Sequence, residues 1–317
     1  MNKIPIGVSE CLLGAPVRYD GGHTHNRYLT DVLGEYLEFH SVCPEVAIGL
    51  GIPRKPIRLI ATDRHTRVRG SLDQSLDVTE ALVAQAELAA VNLADICGYV
   101  FMQNSPSCGV YGLKRYDEQG AFIDKKGRGA YAERLMTLMP LLPVEEAGRL
   151  NDPGLRDNFI TRVFAFADWK QNVAAQPSAK ALVKFYSRYK YQVMAHHVPS
   201  YFDIGRLLAN LAGRDIAQVC DEFIQRFMVA LSHHASRKGN TNAMMHLRGY
   251  LKNTLVREEQ AELSRMIESY RDGYVPLIVP LTLLKHHLLK IENNYLKTQT
   301  FWAPHPEKLG LRNFVIP

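Results

Sequence analysis

The chain has 317 residues, 46% of them hydrophobic, so it can bury a large core and is long enough for two domains. Five widely spaced cysteines in a chain of this length argue against a disulfide framework and favour metal binding or catalysis for any that cluster. The N-terminus has only a short apolar stretch, and no run of eighteen apolar residues occurs. We therefore expect neither a signal peptide nor a membrane-spanning helix, and a cytoplasmic location.

Charge divides unevenly along the chain. Residues 1–165 hold 18 Lys and Arg against 20 Asp and Glu, a net charge of −2. Residues 166–317 hold 20 against 12, a net charge of +8, together with eight of the twelve histidines. The basic half can contact an acidic partner such as nucleic acid. The alternative is a solvated helical surface rich in Lys and Arg.

Strand and helix signals alternate in the first half. The first predicted elements are a strand over 4–9, a helix over 27–38, a strand over 38–42 and a loop over 43–56. Short strands over 58–61 and 66–68 follow, on either side of a polar turn. The last elements are a helix from Asp77 or Thr79 to Ala94, a strand over 98–103 and a helix over 130–139. This order predicts an α/β domain with a parallel, Rossmann-like sheet over residues 1–155.

The second half has a helical pattern. From about Arg156 onward, apolar residues recur at i, i+3 and i+4, and strand signals are nearly absent beyond residue 165. We therefore predict an all-α domain over residues 165–317. The link between the domains is expected within 151–159 or a little later, at 174–180.

Three cysteines each follow a short strand-like run: Cys11, Cys43 and Cys108. Because ligands bind beyond the carboxyl ends of parallel strands, we expect these cysteines to meet at one rim of the sheet. Three thiolates suit a soft metal centre with one open coordination position. The alternative is three buried structural cysteines, although Gly- and Pro-rich loops are where burial is least expected. Cys97 and Cys220 have the positions of packing residues.

Polar residues beside these cysteines are further candidates. Glu45, two residues after Cys43, can move protons or position water, or it is a surface glutamate in a turn. Ser105 and Ser107 can donate hydrogen bonds to a ligand or cap the following turn. Arg54 and Arg58 can hold an anionic or carbonyl-bearing ligand, or face solvent.

The first 145 residues resemble the bacterial and archaeal 2-thiouracil desulfidase family. The stretches that carry the resemblance are Val8–Gly14, Val17–His23, Cys43–Pro44–Glu45 through Arg58, Ser105–Gly109 and, less specifically, Gly127–Gly129. The resemblance implies a [4Fe–4S] cluster with three cysteine ligands, Cys11, Cys43 and Cys108. It also implies that Glu45 and Ser105 act in catalysis. One departure is Glu10, where the family pattern has a small residue before the first cysteine.

The second half resembles the YbgA-like domain that often follows the desulfidase domain. The matching stretches are Met194–His196, Gly249–Tyr250, Tyr270–Gly273 and Pro276–Leu284. This family has no function to transfer. The half also contains the histidine pairs 196–197, 233–234 and 286–287, but adjacent histidines on one helix point in different directions and do not by themselves predict a metal site.

The function implied by the resemblance is a non-redox hydrolysis of a C=S bond. A thiocarbonyl base such as 2-thiouracil would bind through sulfur to the iron that lacks a protein ligand and would be converted to its oxo form. Two alternatives stay open. One is a nucleic-acid-associated module in which the cluster is structural or redox-sensing, and the other is a zinc-thiolate hydrolase.

Overall fold

The computed structural model describes residues 3–62 and 65–314 and divides into two compact units, Met1–Asn151 and Asp152–Pro317. Two residues of the predicted polar turn, Asp63 and Arg64, lie outside the described residues. The functional domain boundaries of 1–155 and 165–317 stay a prediction.

The first unit contains, within its described residues, two four-stranded sheets. The strands are β1 (Ile4–Ser9), β2 (Leu37–Val42), β3 (Ile57–Ala61), β4 (Thr66–Gly70), β5 (Tyr99–Phe101), β6 (Leu113–Tyr116), β7 (Phe122–Gly127) and β8 (Val144–Glu146). The first sheet has the order β2-β1-β5-β8 and is parallel throughout. The second has the order β4-β3-β6-β7 and is mixed. The predicted α/β class is confirmed.

Strand β1 lies between two parallel neighbours. It pairs with β2 from Ile4 opposite Leu37 to Ser9 opposite Val42, and with β5 at Gly7 opposite Tyr99. A strand covered on both faces is apolar almost throughout, as the run Ile-Pro-Ile-Gly-Val is. Gly7 is required here, because a Cβ atom at this position would lie 2.2 Å from the ring of Tyr99.

The described part of the first unit also contains three α-helices: α1 (Pro44–Ala47), α2 (Thr79–Asn92) and α3 (Ala130–Leu138). The helices predicted near 77–94 and 130–139 are confirmed. The N-terminus of α2 is held by Asp77, whose carboxylate accepts hydrogen bonds from the amide and hydroxyl of Thr79 at 3.0 and 2.7 Å. Helix α1 lies in a segment that the sequence predicts to be loop.

The predicted helix over 27–38 is wrong in type and length. The structure has a π-helical turn over Tyr28–Val32, a 3₁₀ turn over Leu33–Glu35, and then strand β2, which begins at Leu37. Leu37 is 1% exposed and pairs with Ile4. The last residues of this apolar pattern have helical spacing, but they form a strand because they pair with β1.

Strands β6, β7 and β8 were not predicted. Strand β7 is largely exposed and carries consecutive lysines, so it lacks an alternating apolar pattern, and β8 has only three residues. Strand β7 is defined by antiparallel pairing with β6, which precedes it by one short turn, and β8 by pairing with β5, more than forty residues earlier in the chain.

The second unit is helical, as predicted. Its helices are α4 (Pro153–Trp169), α5 (Ala179–His196), α6 (Val198–Ala209), α7 (Ile216–Ser232), α8 (Arg237–Gly249), α9 (Arg257–Arg271), α10 (Ile278–Leu288) and α11 (Asn294–Lys297). Aromatic rings of α4, α5 and α7 pack together at centroid distances of 5.2–6.0 Å, with Trp169, Phe185, Phe223 and Phe227 at the centre. None of the helices in the described part of the chain is long and apolar enough to cross a membrane.

Candidate active site

Three neighbouring strands of the parallel sheet each lead to one of the candidate cysteines. Cys11 lies in a 3₁₀ turn directly after β1, Cys43 follows β2 and precedes α1, and Cys108 lies in the loop after β5. All three line one cavity of about 410 Å³. Since β2, β1 and β5 are adjacent, the carboxyl ends of the sheet bring together residues that are far apart in sequence.

The cysteines are less exposed than loop residues usually are. Cys11 and Cys108 are 8% and 5% exposed, and Cys43 is partly buried. The loop sequence around them therefore gave a wrong indication of exposure. Burial alone does not decide between packing and ligation, but packing does not explain why all three sulfur-bearing side chains face one cavity.

Burial is the main influence on the ionisation of these thiols. Desolvation raises the pKa of Cys11 to about 11 and raises the pKa values of Cys43 and Cys108, and nearby negative charges raise them further. A group that favours the thiolate lies beside each: Arg18 for Cys11, the Val46 amide for Cys43 and the Ser9 hydroxyl for Cys108. Positive iron would remove the electrostatic penalty of three adjacent thiolates, so the donor set fits a thiolate-bound cluster.

The arrangement differs from a site for a single ion. Within residues 3–62 and 65–314, no group of three His, Cys, Asp or Glu side chains could hold one metal ion. A four-iron cluster takes each cysteine on a different iron, so its ligands do not converge on one point. A closed zinc site requires convergence at about 2.3 Å from each sulfur.

Glu45 is held inside the cavity rather than at the surface. Its side chain is 12% exposed, and Oε2 accepts a hydrogen bond from Arg54 Nε at 2.8 Å. Oε1 accepts from Ser107 Oγ at 2.9 Å and from Ser105 Oγ at 3.4 Å. Every one of these partners is a donor, so the arrangement suits an ionised carboxylate.

The two serines have different positions. Ser105 lines the cavity, and its Oγ accepts hydrogen bonds from the amides of Ser107 and Cys108 at 3.2 and 3.1 Å. Ser107 is 0% exposed and lies behind the cavity wall. Ser105 is thus the hydroxyl that a bound molecule can reach, whereas Ser107 supports Glu45 and the loop.

Two features that hold the Cys108 loop were missed from the sequence as functional residues. Glu146 of β8 accepts hydrogen bonds from the amides of Val110 and Tyr111 at 2.7 and 3.1 Å. Gly129, just before α3, packs so closely that a Cβ atom would lie 2.4 Å from the carbonyl of Ser107. A signal for Gly129 was present in the Gly-Arg-Gly stretch, but the buried carboxylate of Glu146 has no local pattern.

The remaining wall of the cavity is mixed. Glu10 and Arg18 provide charge, and apolar side chains provide flat surface, including Val17, Val42, Pro44, Ile57 and Met102. Such a cavity can pack against the faces of a small ring while a few polar groups orient it.

Several sequence candidates lie elsewhere. Cys97 and Cys220 are buried and do not line the cavity. Arg58 lines a neighbouring groove with its guanidinium 5.4 Å from the ring centroid of Tyr116. The imidazoles of His197 and His233 stack at 4.2 Å, which is ring packing rather than a metal site.

Comparisons with known proteins agree with both halves of this description. Residues 6–147 match the family described as 2-thiouracil desulfurase, and residues 190–306 match the family described as protein of unknown function (DUF1722). The chain joins members of these two families. Both resemblances predicted from the sequence motifs are confirmed.

Individual relatives match one half each. YbgA of Escherichia coli (strain K12), an uncharacterized protein, is 30% identical over 158 residues, which are 50% of this chain and 94% of YbgA. YbbK of Bacillus subtilis (strain 168), also uncharacterized, is 27% identical over 151 residues, 46% of this chain and 97% of YbbK. A solved [4Fe-4S]-dependent thiouracil desulfidase, TudS, is 32% identical and covers 47% of this chain and 95% of its own, with a TM-score of 0.36.

The packing of Gly129 gives a first prediction. Gly129→Ala places a methyl group against the backbone of Ser107 and Cys108, so it should lower the thermal unfolding midpoint of the first unit by several degrees and reduce iron loading. The control is Gly34→Ala, whose new Cβ would meet its nearest atoms at an ordinary 3.6 Å. Equal midpoints and equal iron content for the two variants would contradict this account of the loop.

Proposed function

We propose that the first unit is a [4Fe–4S]-dependent desulfidase that hydrolyses the C=S bond of a thiolated base such as 2-thiouracil, acting in the cytoplasm. The observation that carries the proposal is the convergence of Cys11, Cys43 and Cys108 on one cavity that Glu45 and Ser105 also line. Membership of the 2-thiouracil desulfurase family and the 32% identity to TudS support it.

The three cysteines would hold the cluster, with one iron left without a protein ligand. When bound, such a cluster supplies a Lewis acid with affinity for a soft thiocarbonyl sulfur. The net reaction adds water and releases hydrogen sulfide, without net electron transfer.

Glu45 and Ser105 would act on water and substrate. Oε1 of Glu45 faces the serines and can take the proton of an attacking water and pass it to a ring nitrogen. The Ser105 hydroxyl is fixed by two backbone amides and can orient the base against the carboxylate. The apolar part of the wall would pack against the ring and so limit the access of water to it.

Anaerobic purification followed by iron, sulfide and zinc analysis tests the proposal, with 2-thiouracil turnover as the second step. Four irons and matching sulfide per chain, together with uracil and sulfide release, are expected. Stoichiometric zinc without iron would favour the hydrolase alternative. A loaded cluster with no turnover of any thiolated base would favour a structural or redox-sensing role.

Substitution of the proposed ligands gives a second prediction. Cys11→Ala, Cys43→Ala and Cys108→Ala should each abolish cluster loading, whereas Cys97→Ala and Cys220→Ala should retain it with a packing cost of ~1–2 kcal/mol. Iron per chain is the measurement. Unchanged iron in any of the first three variants would remove that cysteine from the ligand set.

The role of Glu45 gives a third prediction. Glu45→Gln keeps the size of the side chain but removes its capacity as a base, so the variant should retain the cluster and lose roughly 10²–10⁴-fold in turnover. The control is Glu38→Gln, an exposed carboxylate on β2. Near-normal turnover by cluster-loaded Glu45→Gln would return Glu45 to a structural role.

The helical unit has a candidate function of its own, contact with nucleic acid. Lys180, Lys184 and Arg188 recur at the spacing of one helix face on α5 and line a single surface groove. The net charge of +8 over residues 166–317 acts in the same direction. The substrate base would then be presented within RNA or derived from it.

RNA binding should weaken steeply with salt, because each neutralised phosphate releases counterions. The fourth prediction is that the 317-residue chain binds RNA at low salt and that Lys180→Ala/Lys184→Ala reduces the slope of log K against log salt by about 2. Filter binding is the measurement, with Lys125→Ala/Lys126→Ala on β7 as the charge-matched control. No binding at low salt would mean that the charge is a solvated face.

A further inference from the structure

We propose that Arg54 is a positioning residue that holds Glu45 in its catalytic orientation, an inference that rests on the proposed function of Glu45. The contact is an ion pair between Arg54 Nε and Glu45 Oε2 at 2.8 Å. The two side chains are only 6% and 12% exposed, so water screens this pair far less than a surface pair.

The segment between Glu45 and Arg54 turns back toward the cavity, so that both side chains line it. After α1, Gly49 and Gly51 adopt φ angles of 85° and 73°, a region that favours glycine. The Gly51 carbonyl then accepts a hydrogen bond from Arg54 Nη1 at 3.0 Å. The Arg54 amide donates to the Tyr19 carbonyl at 2.8 Å, so both backbone and side chain of Arg54 are fixed.

The ion pair gives the two carboxylate oxygens of Glu45 different partners. Because Oε2 is occupied by Arg54, Oε1 is the oxygen turned toward Ser105 and Ser107. The carboxylate can then rotate only by breaking a short charge-assisted hydrogen bond. Its reactive oxygen is therefore presented at one position on the cavity wall.

A second arginine of the cavity provides a contrast. Arg18 has a side chain 28% exposed, and its nearest carboxylate, Asp20, lies 3.8 Å away. Arg18 thus retains donors for a bound molecule, whereas the Nε and Nη1 groups of Arg54 are both directed to protein acceptors. Arg54 also lines the cavity, but its Nε group is committed to Glu45, so it can act on the reaction through that carboxylate.

A double-mutant cycle in the cluster-loaded protein separates the two roles. Arg54→Ala should lower kcat by about 10²-fold with little change in KM, because a catalytic group displaced by about 1 Å loses roughly that much. In the Glu45→Gln background the same substitution should cost less than about three-fold, because groups that act as a unit are not additive. Independent, multiplicative losses, or a rise in KM alone, would overturn the proposal.

Guanidinium added to Arg54→Ala should restore part of the lost kcat, but it should not restore the double variant Glu45→Gln/Arg54→Ala. Arg54→Lys should lie between wild type and Arg54→Ala, since lysine supplies the charge without the planar geometry. Arg134→Ala, which removes an exposed ion pair with Glu87, is the control and should leave kcat unchanged. Failure of guanidinium to rescue Arg54→Ala at any concentration that wild type tolerates would count against positioning.

Two readouts do not depend on turnover. Iron per chain should stay at the wild-type value in Arg54→Ala, which excludes a role in cluster retention. The unfolding midpoints of the metal-free wild type, both single variants and the double variant should show coupling between Arg54 and Glu45, because each single variant leaves the remaining charge buried without its counter-charge. If loaded wild type shows no desulfidation, the proposed function fails, while additive midpoints would overturn the Arg54 inference by itself.

Discussion

Parallel pairing of β1 with both of its neighbours is the constraint on which the site depends. A parallel ladder aligns the carboxyl ends of its strands, and here each of three neighbouring strands leads into a turn or loop that contains a cysteine. The ladder needs a central strand buried on both faces, which explains why Gly7 lies under the ring of Tyr99. Displacing β1 by one residue would turn its buried side chains, such as Ile6 and Val8, to the other face of the sheet.

A shell of polar groups at this edge of the sheet offsets the cost of burial. The thiols lie where desolvation opposes ionisation, yet Arg18, the Val46 amide and the Ser9 hydroxyl each favour one thiolate. Glu45 lies in the same environment with three donors directed at its oxygens. Burial disfavours the thiolate forms, so binding of a positively charged metal group here would be coupled to release of the thiol protons.

The local sequence predicts at which edge of the sheet the site lies, but it does not predict how deeply the cysteines are buried. An apolar run followed by a cysteine was enough to place Cys11, Cys43 and Cys108 at one edge, because that inference needs only the topology of a parallel sheet. The contact of Arg54 with Glu45 depends on the path of a loop that contains two glycines with positive φ. The composition of a loop does not predict its path. Leu37 was misassigned because its apolar spacing is helical, whereas its hydrogen bonds go to a strand more than thirty residues away. Strand β8 and the buried carboxylate of Glu146 likewise depend on distant partners.

The hydrogen bonds from the Cys108 loop to Glu146 have a consequence for folding during synthesis. Strand β8 is the last described strand of the first unit, and the carboxylate of its residue Glu146 fixes the amides of Val110 and Tyr111, which follow Cys108. A nascent chain emerges from its N-terminus, so Cys11 and Cys43 are exposed well before the segment that completes the rim has been synthesised. Iron delivered during that interval would encounter the thiols of Cys11 and Cys43 before the loop with Cys108 is held in place. Insertion of the proposed cluster would therefore follow the folding of the α/β unit, and until then the early thiols would be open to oxidation.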